Sequence, residues 1–179
     1  MNKKTIKFKS ADIINIRKSL DENITKGWHI IRHENIMTTK EIKAGMGSGK
    51  DLKALYNSIR QMQQKRIKIK ALLMYLNLGI TKFDYEAFKK TNNYSIFMAT
   101  EAKEAITQLK MIPTINPTAK SKQTKAAAGK KESFTTAKIA SLIKDLQLEA
   151  NKFDAAMEKF NNETEITIKD DDFISDITT

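Results

Sequence analysis

The residues Ala44–Asp51, AGMGSGKD, are the part of this chain that looks most like a chemical device. Glycines let successive backbone amides wrap a phosphate, and a lysine can then reach its terminal oxygens. Three features argue against that use. Ala44 stands where the first glycine of a phosphate loop belongs. Asp51 follows Lys50 in the place of the Ser or Thr that would hold magnesium, and its charge repels phosphate. The preceding MTTKEIKA is amphipathic and polar, not a buried strand. The expectation is a turn feeding a helix, able at most to hold one backbone phosphate at the helix start.

His29 and His33 are the two histidines of the chain, spaced so that they share a helical face. Ile30 occupies the place where a zinc peptidase carries its glutamate, and no cysteine exists to complete a site. No nucleophile sits in a recognisable elbow. The chain is therefore expected to bind rather than catalyse, with no catalytic residue, no metal site and no cofactor.

The cations carry more information. Arg60, Lys65, Arg66, Lys68 and Lys70 fall within one short stretch, and no acidic residue occurs between Asp51 and Asp84. A helix so one-sided can track a phosphate backbone. A second group, Lys120, Lys122, Lys125, Lys130 and Lys131, is interspersed with Ala, Thr and Gly. It reads as a flexible arm that lies along nucleic acid. Phe83, Tyr85, Phe88, Tyr94 and Phe97, with Lys82, Lys89 and Lys90 among them, suit either core packing or stacking on single-stranded bases.

Elements must position these groups, and the apolar pattern predicts mainly helices. Residues 5–9 alternate like a short strand. Ser10 is a plausible cap for a helix carrying Ile13, Ile14, Ile16 and Leu20; a second helical segment covers about 25–36, with Gly27 blurring its start. Thr38 to Glu41 resembles a cap opening a short helix that ends at Gly45 or Gly47. From Lys50 to about Leu78, the positions Leu52, Leu55, Ile59, Met62, Arg66, Ile69, Leu73 and Leu76 step alternately by three and four. That is a heptad seam with one charge on it. Arg66 can snorkel out, pair with an acid in the core or mark an oligomer layer. A shorter helix is expected over 83–90 and a longer one from Tyr94 to about Ile112, stopped by Pro113 and Pro117. A last helix, about 135–161, has the seam Ile139, Ile143, Leu146, Ala150, Phe153, Met157 and Phe160.

The expected fold is all-α: a helical bundle with long heptad-patterned helices, and a minor two-stranded pairing of residues 6–9 with 163–169. Four regions follow: a basic helical domain over 1–112, a basic flexible linker over 113–134, an amphipathic helix over 135–162 for packing or oligomerisation, and an acidic tail over 163–179.

The charge is distributed just as unevenly. Residues 1–50 and 51–112 each carry +6, residues 113–134 carry +4, residues 135–162 are neutral and residues 163–179 carry −5, within a chain of net +11. Such asymmetry points to a polyanionic partner. Only Arg17, Arg32, Arg60 and Arg66 are arginines among the 32 basic residues. Lysine is a point charge suited to phosphate, whereas arginine is the usual reader of guanine edges. The leading expectation is a non-enzymatic nucleic-acid-binding protein with largely sequence-independent contact to DNA or RNA. The Lys-, Ile- and Asn-rich coding bias suits a low-GC bacterium, its phage or a mobile element. Under the nucleic-acid reading the C-terminal helix serves self-association or core packing. The second expectation is an interaction module (an inhibitor, adaptor or assembly factor) that docks an acidic protein surface through its heptad helix. No stretch is apolar enough for a membrane span, so no membrane partner is expected and the location is expected to be cytoplasmic.

Overall fold

The computed structural model describes residues 7–115 and 133–167. Among them are six helices and no strand: α1 (Ser10–Glu34), α2 (Thr39–Lys43), α3 (Leu52–Asn77), α4 (Tyr85–Phe88), α5 (Asn92–Lys110) and α6 (Thr136–Glu163). The described parts of the expected terminal strands, residues 7–9 and 163–167, carry no strand structure. The rest of that pairing lies outside the described residues. No helix among them is long and apolar enough to cross a membrane.

The two segments expected before Ile36 form one helix, α1, and Gly27 lies inside it. The reason is steric. A Cβ at Gly27 would sit 2.8 Å from the Ile59 side chain, so the missing atom lets α1 and α3 approach closely. Ser10 is the first helical residue rather than the cap. The backbone amide of Lys9 donates to Asp12 Oδ2 at 3.2 Å across the first turn.

Thr38 caps α2 as its sequence implies. Its amide donates to Glu41 Oε2 at 2.6 Å, and the Glu41 amide donates to Thr38 Oγ1 at 3.3 Å. Gly79 ends α3 with φ +72, a backbone region that other residues rarely adopt.

The long helices form two pairs, α1 against α3 and α5 against α6, and the pairs share a core. Ile24, Trp28 and Ile31 of α1 meet Ile59 of α3, Leu109 of α5 and Leu146 of α6 in one cluster. The helix expected to serve packing or oligomerisation thus contributes to the same core. A second cluster gathers Ile67, Ala71 and Met98 with the aromatics, including fully buried Phe88.

The buried line of α3 departs from the expected seam. Leu52, Tyr56, Ile59, Gln63, Ile67 and Ala71 are covered, whereas Ile69, Leu73 and Leu76 are only partly so. A strict three-four alternation slips around a straight α-helix, whose turn is 3.6 residues, so the face that meets α1 and α5 moves off it.

Candidate nucleic-acid interface

Between the two apolar clusters lies a layer of charge. Arg66 is its centre, with its side chain 8% exposed and Glu101 at 1%. Arg66 Nε donates to Glu101 Oε1 at 2.8 Å, and Nη2 donates to the other oxygen of the same carboxylate. Nη1 donates to Asp21 Oδ1 at 2.9 Å and Nη2 to Glu104 Oε2 at 2.6 Å. Lys70 Nζ donates to Glu101 Oε1 at 2.9 Å. One guanidinium therefore ties α3 to α1 and α5. Burial works against its charge, but hydrogen bonds to Glu101 and Asp21, with the charges of Glu101 and Glu104, outweigh it and raise its pKa above the ordinary value.

Arg60 is engaged in a similar way. Its Nη2 donates to Glu149 of α6 at 3.0 Å and its Nη1 to Gln63 at 2.8 Å. Of the five cations expected to form a phosphate track, Arg60, Arg66 and Lys70 are thus held by partners inside the bundle. Lys65 is exposed with no ion-pair partner among the described residues. Lys68 is exposed and lies 5.1 Å from the centre of the Tyr85 ring. The track reduces to two lysines.

The glycine-rich segment is similarly filled from within. Asp51 Oδ1 accepts from the amides of Lys53 at 2.8 Å and Ala54 at 3.2 Å. Buried Glu34 accepts from the Ser48 amide at 2.6 Å. Two of the amides that a phosphate would need at the start of α3, those of Lys53 and Ala54, are thus bonded to a carboxylate of this chain. His29 and His33 stack at 6.2 Å on the exposed face of α1, and no group of three or more metal-ligating side chains gathers among the described residues. The aromatics pack mostly edge to face, as with Phe88 and Tyr94 at 5.9 Å and Tyr75 and Phe83 at 5.1 Å.

A different residue organises the remaining free charge. Asn35, just past α1, is 1% exposed. Its Nδ2 donates to the carbonyls of Pro113 at 2.9 Å and Phe134 at 2.8 Å, and its Oδ1 accepts from the Phe134 amide at 2.9 Å. Thr136 Oγ1 donates to Thr114 Oγ1 at 3.1 Å beside it. Phe134 is fully buried, edge-on to Tyr56 at 5.9 Å. Both ends of the segment that carries Lys120, Lys122, Lys125, Lys130 and Lys131 are therefore fastened to one point. Those five lysines themselves lie outside the described residues.

The same end of the bundle holds the α1–α3 connection, the end of α5 and the start of α6. Lys40, Lys43, Lys50, Lys53, Lys110 and Lys138 are exposed there. The chemistry available there is electrostatic capture of an extended anion by exposed ammonium groups. The chain matches no family model, no curated protein and no solved structure.

Proposed function

We propose that the protein binds nucleic acid without catalysing a reaction, and that it does so through the lysines at the Asn35 end of the bundle. The observation that carries this reading is the Asn35 clamp. It ties the two residues that flank the lysine-bearing segment, Pro113 and Phe134, to the end of the bundle where six further lysines are exposed. A partner there meets one concentrated field instead of charges scattered over every face.

The chemistry of the cations also favours backbone contact over sequence reading. Each of the four arginines already touches another side chain of this protein: Arg17 meets Asp21, Arg32 meets Gln108, Arg60 meets Glu149 and Arg66 meets Glu101. Hydrogen bonds thus hold Arg32, Arg60 and Arg66 away from a guanine edge, and only Arg17, 3.7 Å from Asp21 and close to half exposed, keeps its fork open. Docking of an acidic protein through the heptad face of α3 fits less well, because α1 and α5 already cover the centre of that helix.

Anisotropy titrations of unrelated oligonucleotides against salt test the reading. Duplexes of different sequence are expected to bind alike, with log affinity falling by about 0.9 per contacted phosphate for each unit of log salt. No binding at about 50 mM salt, where such electrostatic contacts are strongest, would refute it.

A further inference from the structure

The end of the bundle opposite Asn35 carries a feature with another kind of chemistry. A groove of about 500 Å³ opens between α1, α3 and α5, walled by Leu73, Leu78, Ile96 and Phe97, with Arg17 and Lys70 on its lining. Its apolar walls face solvent: Leu78 is 67% exposed and Ile96 39%. Arg17 is close to half exposed, and its contact with Asp21 is loose at 3.7 Å because Arg66 holds the other oxygen of that carboxylate. Lys18, Lys82 and Lys90 are exposed on the neighbouring segments. An apolar trough in a positive field fits a short peptide with large apolar side chains set among acids.

The chain's own C-terminal residues have that composition. Residues 168–179, IKDDDFISDITT, place Phe173, Ile174 and Ile177 among Asp170, Asp171, Asp172 and Asp176. They also start from the right place. Phe153 of α6 packs on Tyr94 near the beginning of α5. The ten residues from there to Glu163 carry α6 about 15 Å further towards this same end at 1.5 Å per residue. From Thr167, twelve residues can span up to about 40 Å when extended, enough to turn back to the groove.

We infer that the acidic segment 168–179 docks in this groove of the same molecule, with Phe173 and its isoleucine neighbours on the apolar walls and the aspartates towards Arg17. The inference is independent of what the Asn35 end binds. The groove lies at the far end of the bundle from that site, so the two proposals fail separately.

The absence of cysteine allows a direct test on the full chain. A nitroxide on Ser175→Cys is expected to remove most of the intensity of the Leu73, Leu78 and Ile96 methyl signals, while leaving Ile139 and Leu146 in the distant cluster untouched. Arg17→Glu, and separately Phe173→Asp, should restore those signals without shifting Leu146, which reports that the fold persists. Broadening that is absent, equal in both clusters or unchanged by either substitution overturns the inference. So does broadening seen only between spin-labelled and isotope-labelled molecules in a mixture, since that would make a second copy the occupant.

Discussion

The middle of α3 and the Asn35 end of the bundle are both rich in cations, yet they differ in where the opposing charge comes from. In the middle of α3, Arg60, Arg66 and Lys70 meet Glu149, Glu101, Glu104 and Asp21 at 2.6–3.0 Å, all within the chain. At the Asn35 end, Lys40, Lys43, Lys50, Lys53, Lys110 and Lys138 have no ion-pair partner among the described residues. The local density of basic residues is alike, but the acids that answer the first group come from helices distant in sequence. Arginine and lysine divide accordingly. The planar guanidinium satisfies several acceptors at once and is the weaker-hydrated cation, so it suits a buried junction. The ammonium keeps its water more readily and, apart from Lys70 on Glu101, stays outside in these two regions.

The sharpest way to break this contrast is to remove the buried centre. Arg66→Met leaves Glu101 without its main partner, and a loss of about 3–5 kcal/mol of stability is expected in denaturant titrations. Replacing Glu101 as well, in Arg66→Met with Glu101→Leu, should recover much of it, because a buried pair exchanged for apolar residues is often neutral or better. If the single substitution leaves stability unchanged, the charge layer does not hold the helices together.

At the other region the structural element is neutral. Asn35→Ala strips partners from two carbonyls and one amide, and a loss of about 2–4 kcal/mol is expected from three hydrogen bonds at roughly 1 kcal/mol each plus the groups left unpaired. The same variant should weaken oligonucleotide binding although net charge is unchanged. A variant that unfolds normally but binds as before would detach the clamp from function. Gly27→Ala tests the packing on which both regions depend. The added methyl meets Ile59 at 2.8 Å, and about 1–3 kcal/mol of destabilisation is expected in thermal or chemical melts. Lys65→Ala should change stability by less than about 0.5 kcal/mol, as befits an exposed lysine with no partner.

Local signals in the sequence carried the elements well and the long-range pairings poorly. The Thr38–Glu41 cap, the Gly79 stop and the first half of the α6 apolar face (Ile139, Leu146 and Ala150) each depend on residues within a turn or two and are visible as spacing, whereas Phe160 at the far end of that expected seam is exposed. Gly27 was misread because its partner, Ile59, lies on another helix. Arg66 on an apolar seam was a true signal of something unusual, with a core acid among its possible partners. Nothing local singled out Glu101 and Glu104 from any other exposed-looking pair on a helix. Asn35 was missed altogether. Next to a helix end it reads as an ordinary terminator, and the groups it binds are 78 and 99 residues away. The lysine segment was legible as composition, but its attachment at both ends was not.

Two multiple-lysine variants of the full chain, compared by the salt dependence of duplex binding, test the account at its centre. Converting Lys120, Lys122, Lys125, Lys130 and Lys131 to alanine should lower the slope of log affinity against log salt by about 4, while Lys65→Ala with Lys68→Ala should lower it by about 1 or less. The reverse ranking, or equal slopes for both variants and the unaltered protein, would contradict the assignment of the Asn35 end as the nucleic-acid interface.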